Sequence, residues 1–409
     1  MTSHKLTISI EILCYNLLVR NIDISEFKNS KTAFIMSGGV VKAAAWHQGV
    51  ALALEELGFN FQSTKNGPKE SHNISTYVGS SAGSLAAAYL SFGFRPLDII
   101  EATMNPSKSK LKAISYKDML SLKKPDLKNL KFSWGNQLEG FPTVVKAALS
   151  PFLKIPGLFT TLGLRDYLLE TVIHEDNFEN LPIDLFIVAS QLDHSRKVIF
   201  SKYNYPNPRH DSTSVYYTGT CISDAIAASM AVPPFYSPYP IKNKLTNQTD
   251  YYIDGEIRET LSTHIGIDNR CDLIISSWTH TPYHFHDEVG SLVNYGIPAI
   301  AVQSIYLMIQ KKIVASRARR KTAEDIVNTV NEYCLNHKIE NKHRKKILSI
   351  LENKLNFNSN VKFIDIYPSH DDYKFFFLNS FSLNRENNSY IVKAAYKRTI
   401  DVFKNAEWY

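Results

Sequence analysis

The chain has 409 residues, of which 44% are hydrophobic and 12% aromatic, and its formal net charge is +7. This composition provides for a large core. The mild, dispersed charge without a recognisable binding motif disfavours a nucleic-acid-binding protein. No run reaches the roughly 18 uninterrupted apolar residues of a membrane span.

The cysteines and the N-terminal residues bear on localisation. Four cysteines are scattered with no pair at metal-ligand spacing, namely Cys14, Cys221, Cys271 and Cys334. This usage is typical of reduced thiols in cytosolic proteins. Residues 6–19 are fairly apolar but include Glu11 and Asn16, and no small-x-small cleavage site follows, so no secretory signal is predicted. We expect a cytoplasmic or peripheral membrane protein, and the sequence leaves export as an effector open.

Strands and helices are predicted to alternate along most of the chain. The predicted strands are 31–36, 74–78, 185–190, 198–201, 251–253, 273–277 and 361–366, and the predicted helices are 43–57, 84–92, 165–172, 222–230, 323–355 and 390–403. Apolar strands alternating with helices favour an α/β fold whose parallel sheet is covered on both faces. Residues 1–30 are predicted to be an N-terminal extension, and residues 31–409 one domain.

Two further segments are harder to interpret. Residues 105–160 combine many lysines with Trp134, Phe141, Phe152 and Phe159. They form either a lid or bilayer-facing surface, or an ordinary helical excursion with a solvated face. Residues 297–313 are apolar and are followed by a basic run. This segment is too short to span a membrane, so we predict a core helix with a basic exit in preference to a membrane anchor.

A possible nucleophile lies at the end of the second predicted strand. Gly79 to Gly83 form a Gly-x-Ser-x-Gly pentapeptide centred on Ser81, between a β-branched strand and an Ala/Leu-rich helix. That context is the one a nucleophile elbow requires. Glycines permit a tight backbone and close approach of a substrate carbonyl. The pentapeptide alone is also compatible with an ordinary turn.

Two other turns could complete the chemistry. Gly38 and Gly39, with Val40 and Lys42 after them, lie at a strand-to-helix junction whose backbone N–H groups could hold an oxyanion. A phosphate-binding turn is the alternative, but neither of the usual glycine-rich phosphate motifs is present. Asp254 follows a strand, where it could accept the Ser81 proton or simply form an Asp-Gly turn.

Taken together, the order of these motifs resembles the patatin-like phospholipase family. A fourth block supports the resemblance, the Ala-Ser-Met-Ala-Val-Pro-Pro-Phe segment at 228–235. The resemblance covers about residues 31–405 as one domain with a helical insertion near 320–357. It implies a three-layer α/β/α sandwich with a mostly parallel central sheet, and hydrolysis of acyl esters in phospholipids or other glycerolipids without metal or cofactor.

The resemblance also assigns residues. Ser81 matches the nucleophile and Asp254 the general base, forming a dyad without histidine. The oxyanion donors are expected at Gly38, Gly39 and Val40, and the supporting positions are Lys42, Gly79, Gly83 and Gly255. Three positions depart from the family pattern: Val40 replaces a glycine, Ala43 another, and Glu256 stands where Gly or Ala is usual.

Two other functions stay open at this stage. An α/β-hydrolase would need a Ser-Asp-His triad, and five histidines follow the acid: His264, His280, His284, His286 and His370. A catalytically weak or non-catalytic membrane-binding relative would explain the basic stretches and the altered oxyanion turn.

Overall fold

The computed structural model describes residues 22–122, 156–205, 213–244 and 246–408. Several predictions lie outside these residues: Cys14, the aromatic residues Trp134, Phe141 and Phe152, most of the 105–160 excursion, and the middle of the loop at 203–214. Of the predicted N-terminal extension, Ile24 and Phe27 are buried in the core, and Phe27 packs edge-on against Trp408 at a centroid distance of 5.4 Å.

A ten-stranded sheet forms the centre of the described part of the chain. Its strands are β1 (Thr32–Met36), β2 (Asn60–Phe61), β3 (Asn73–Ser80), β6 (Asp184–Gln191), β7 (Arg196–Phe200), β8 (Ser214–Tyr217), β9 (Tyr239–Lys242), β10 (Thr249–Asp254), β11 (Leu273–Ser277) and β12 (Lys362–Ile366). A separate small sheet pairs β4 (Ser121–Leu122) with β5 (Phe159–Thr160).

The sheet is mostly parallel, as predicted. The order is β12-β11-β1-β3-β6-β10-β9, and the first five of these strands run parallel. β10 runs antiparallel to both β6 and β9, and β7 antiparallel to β6. Every residue of β1 and β11 is buried, which is the expected state of a parallel strand covered on both faces.

Eleven helices surround the sheets in the described residues. They are α1 (Val40–Leu57), α2 (Ala82–Ser91), α3 (Pro96–Met104), α4 (Tyr116–Met119), α5 (Leu162–Thr171), α6 (Ile222–Ser229), α7 (His264–Asp268), α8 (Gly296–Asn336), α9 (Asn341–Leu355), α10 (Tyr373–Phe377) and α11 (Arg385–Lys404). The first helix ends at Gly58 as predicted, because that glycine adopts the left-handed conformation with φ of 104°.

Helices and loops bury the two faces of the sheet in separate apolar clusters. On one face, α1, α2 and α11 contribute to the larger cluster, and α11 packs along α1. On the other face, Ile265 of α7 packs with aromatic residues, including Phe186 and Tyr216. The prediction of a central sheet flanked by helices is therefore confirmed.

The long helix α8 differs from the prediction. It is continuous from Gly296 to Asn336, and only Tyr306, Ile309 and Ile313 are buried among its apolar N-terminal residues. The prediction of a core helix at 297–313 is wrong, since Ile297 is 82% exposed. The predicted helical insertion near 320–357 is the later part of a helix pair formed by α8 and α9. By length and composition alone, 292–336 is the one segment among the described residues that could cross a membrane, and only 11% of its most apolar window is buried.

Candidate active site

Ser81 lies at the sharp turn between β3 and α2, as the sequence predicts. Its backbone has φ of 51° and ψ of −127°, an uncommon conformation for a residue with a side chain. The Ser81 N–H donates to Ser229 Oγ at 2.8 Å, and the Ser84 N–H donates to the Ser81 carbonyl at 2.8 Å. These bonds hold the backbone in the strained form that presents a serine above a sheet.

The glycines on either side of Ser81 are required by close packing. A Cβ at Gly79 would collide with the Ser84 backbone, and one at Gly83 with the Met36 carbonyl of β1. Neither glycine adopts a positive φ. They therefore allow α2 to approach the sheet closely, while the strained dihedral angles fall on Ser81.

Asp254 lies beside Ser81 because of the strand register. Ser80 pairs with Val188 of β6, and Asp254 pairs with the next residue, Ala189, from the other side of that strand. The Asp254 Oδ1 accepts the Glu256 N–H at 2.8 Å, and the carboxyl group lies close enough to Ser81 for the serine side chain to lower its pKa. Burial outweighs both effects and raises the pKa of Asp254 to about 7.

The glycine-rich turn between β1 and α1 also reaches the serine. Gly38 is so close that a Cβ there would lie 2.7 Å from Ser81 Cβ. Gly39 has φ of 130°, which favours glycine, and Val40 has φ of 58°, which is strained for a β-branched residue. Val40 is the first residue of α1, so its N–H has no acceptor within the helix.

Glu256 is part of this site, although the sequence pattern indicates no role for it beyond a departure from the family. It lies in a 3-10 turn, Gly255–Ile257, directly after Asp254. A Cβ at Gly255 would collide with the Val188 carbonyl, so this turn packs tightly on β6. Glu256 Oε1 accepts the N–H of Gly38 at 2.8 Å. Burial and the charge of Asp254 raise the pKa of Glu256 far above its usual value.

Ser229 belongs to the Ala-Ser-Met-Ala-Val-Pro-Pro-Phe block, and the structure shows what it contacts. Its hydroxyl accepts the Ser81 N–H and donates to the Val188 carbonyl at 2.6 Å. Ser229 therefore ties the turn that carries the serine to the strand between Ser81 and Asp254. A serine at the end of a short buried helix carries no sequence signal for such a contact.

Lys42 points away from the serine. Its side chain is buried, and its Nζ lies 3.2 Å from the Tyr306 hydroxyl and 5.1 Å from the centre of the Phe375 ring. The predicted positive charge beside the oxyanion turn is thus directed to α8 and α10. Its contacts link the first helix to those two helices.

None of the five candidate histidines for a triad hydrogen-bonds to the Asp254 carboxyl group. The Asp254 Oδ1 instead accepts the Glu256 N–H, and the side chain that lowers the pKa of this carboxyl group is that of Ser81. His264 contacts Lys197, and His280 packs edge-on against Tyr306. His284 stacks on His370, and His286 packs against Tyr373. In the described residues, no cluster of three His, Cys, Asp or Glu side chains could hold a metal ion.

An apolar cavity opens beside the serine. One small pocket is lined by Ser81, Val40, Met119 and Met230. The last three also line a neighbouring, almost entirely apolar cavity that runs along α1 and α2 past Leu85. Hydrophobic lining with few polar groups is typical of a site for an apolar ligand.

Comparison with known proteins identifies the family. The model described as "Patatin-like phospholipase" matches residues 34–267, more than half of the chain, and the chain belongs to this family. Membership confirms the resemblance seen in the sequence and supports a lipid acyl hydrolase activity in general terms. A comparison with curated proteins finds no match.

Among solved structures, the chain is similar to the crystal structure of VipD from Legionella pneumophila. The two share 14% identity over 93% of this chain and 67% of that chain, with a TM-score of 0.35. This TM-score is too low to support an argument about activity, partners or localisation.

Proposed function

We propose that this protein is a serine lipid acyl hydrolase of the phospholipase A or lysophospholipase type, acting through a dyad of Ser81 and Asp254. The observation that carries the proposal is the strand register by which the buried Asp254 carboxyl group lies beside Ser81 at neighbouring strand ends. A carboxylate within hydrogen-bond reach is what activates a serine hydroxyl. Its raised pKa suits a group that must accept and return a proton near neutral pH.

The reaction has two steps. Ser81 Oγ bonds to the ester carbonyl carbon while its proton passes to Asp254. The tetrahedral oxyanion is stabilised by the N–H groups of Gly38, Gly39 and Val40. The carbon–oxygen ester bond then breaks, and the alcohol or lysolipid leaves with the proton from Asp254. Water, deprotonated by Asp254, attacks the acyl-enzyme, and the fatty acid leaves as the Ser81 hydroxyl re-forms.

The substrate class follows from the surroundings of the serine. The almost entirely apolar cavity beside Ser81 suits a fatty acyl chain, and its mouth shares Val40 with the oxyanion turn. A glycerolipid ester therefore fits both parts of the site. The acyl chain would lie along α1 and α2, and the ester carbonyl at the Gly38 turn.

Helix α8 offers a surface for the membrane that holds such a substrate. Ile297 and Met308 are 82% and 59% exposed, and an interval of eleven residues returns to the same helix face. Exposed basic residues follow at Lys311, Lys312 and Arg319. Apolar side chains next to basic ones are typical of helices that bind anionic lipid surfaces. We propose that α8 holds the protein peripherally on the bilayer.

The dyad is tested by the release of fatty acid from phospholipid vesicles. Ser81→Ala and Asp254→Asn should each lower turnover by about 10³-fold or more, whereas the matched control Asp250→Asn, on the same strand, should keep wild-type activity. Full activity in either dyad variant would refute the proposed roles. Loss of activity in a folded variant of one of the five histidines would favour a triad instead.

A further inference from the structure

We propose that the Glu256 carboxyl group occupies the oxyanion hole, so that the structure represents a self-inhibited state from which Glu256 must withdraw before an ester can bind. This inference rests on the proposed function of Ser81 and Asp254. It assigns a role to Glu256 and requires this side chain to move before the enzyme is active.

The first support is the position of the carboxyl group. Glu256 Oε1 accepts the Gly38 N–H at 2.8 Å, the same donor that is proposed for the oxyanion. A Cβ built at Gly38 would lie 2.6 Å from Glu256 Cγ and 2.7 Å from Ser81 Cβ. The Glu256 side chain and the nucleophile therefore flank the same glycine, and a substrate carbonyl oxygen cannot reach Gly38 while this bond persists.

The second support is that the Glu256 carboxyl group forms no ion pair with any residue that the structure describes. Glu256 Oε2 is buried without a hydrogen-bond partner, and the charges of Asp254 and Glu259 both raise the pKa of the carboxyl group. Lys42, which follows the Gly38 turn, contacts Tyr306 and Phe375 instead. Placing a second acid beside the first without a cation is unfavourable, and the hydrogen bond from the Gly38 N–H is the contact that offsets this cost.

The third support is the way the turn is built. Glu256 belongs to a three-residue 3-10 turn with Ile257, which is 48% exposed. The Ile257 carbonyl lies 3.5 Å from Lys312 Nζ of α8. The turn therefore lies at the surface on its outer side while Glu256 reaches inward, so withdrawal of the side chain needs no rearrangement of the sheet.

The experiment measures how fast a fluorophosphonate probe labels Ser81 in the full chain. In labelling, Ser81 Oγ bonds to phosphorus, fluoride leaves, and the proton passes to Asp254. The phosphoryl oxygen needs the same N–H donors as an ester oxyanion. Glu256→Ala should label about tenfold faster than wild type or more. Glu256→Gln, which keeps an acceptor for the Gly38 N–H, should stay within about threefold of wild type.

The labelling rates distinguish failure of the inhibitory role of Glu256 from failure of the dyad of Ser81 and Asp254. Equal labelling of Ser81 in wild type and Glu256→Ala would leave the dyad standing and overturn the inhibitory role. Slower labelling of the alanine variant would also overturn it. Absence of Ser81 labelling in both proteins would refute the dyad and the inference together. If Glu256→Ala does not fold, Glu256→Asp withdraws the carboxyl by one methylene and should label faster than wild type; equal labelling would overturn the inference.

Discussion

At the scale of single residues, the chemistry depends on a carboxyl group that is costly to charge. Asp254 is 3% exposed, and burial raises its pKa to about 7 from an ordinary value of 3.8. A base must be deprotonated to accept the serine proton. We therefore expect kcat/KM for a soluble ester to rise about tenfold per pH unit below pH 7 and to level off above it.

The pH profile is measured with a short-chain ester, because lipid binding then does not contribute. The groups facing Asp254 are Ser81 and Glu256, and burial raises the pKa of Glu256 as well. A profile whose rise is centred below pH 5 would contradict the assignment of Asp254 as a base held in a buried site.

The same carboxyl group should lower stability at neutral pH. Since the folded-state pKa lies above the unfolded value, the folded protein binds more protons between about pH 4 and pH 7. Protonated Asp254 favours the folded state. This stabilising contribution is fully present below about pH 4 and is lost as the pH rises through 7. Asp254→Asn should therefore be more stable than wild type at pH 8, by a few kcal/mol.

Chemical denaturation of both proteins at pH 4.5 and pH 8 measures this effect. The difference in unfolding free energy should be larger at pH 8 than at pH 4.5. A variant that is less stable than wild type at pH 8 would show that the Asp254 charge is offset by partners other than Ser81 and the Glu256 N–H.

Ser229 gives a residue-scale test of the strained turn. Ser229→Ala leaves the buried Ser81 N–H without its acceptor, which should lower the unfolding free energy by about 1–3 kcal/mol. Turnover should also fall, because the Ser81 backbone is no longer held. The control is Ser91→Ala, a buried serine whose hydroxyl donates to the Ala88 carbonyl of its own helix. Equal stability losses in both variants would indicate that the Ser229 contact has no special role.

At the scale of elements, substitutions on α8 test membrane binding separately from catalysis. Ile297 and Met308 are exposed, and neither lines the pocket beside Ser81. Replacing both by aspartate should weaken binding to anionic vesicles by about tenfold or more, because each buried apolar side chain contributes roughly 1.5–3 kcal/mol. Hydrolysis of a short soluble ester should not change.

Vesicle sedimentation measures the binding, and the matched control is Ile350→Asp on α9, where the side chain is 52% exposed. Undiminished vesicle binding by the double α8 variant would exclude this helix as the docking surface. An equal loss of vesicle binding in the control would indicate that the added negative charge causes the loss, and not the change at the apolar face of α8.

At the scale of the whole molecule, the sequence predicts the strands that form the buried sheet. The strands β1, β3 and β11 are rich in apolar and β-branched residues, and the structure has them within two residues of the predicted bounds. The Gly-x-Ser-x-Gly turn is also predicted, because a strand, a tight turn and a helix follow one another locally. The residues alone left the role of Asp254 open between a base for Ser81 and an Asp-Gly turn, since the proximity of the two side chains depends on β6 pairing with both strands.

Features that depend on side-chain direction could not be read from the sequence. Glu256 reaches back to Gly38, and Lys42 turns towards Tyr306, although both lie next to predicted site residues. Helix α8 was predicted as core because an apolar run has the same composition whether it faces other helices or the exterior. The assigned roles of the site residues stay predictions.

Mass spectrometry of the protein quenched during turnover of a slowly hydrolysed ester tests the dyad most directly. An acyl adduct is expected on the peptide containing Ser81 in wild type and in Asp250→Asn, and on neither Ser81→Ala nor Asp254→Asn. Turnover with the adduct on another residue, or undiminished turnover in Ser81→Ala, would contradict the account.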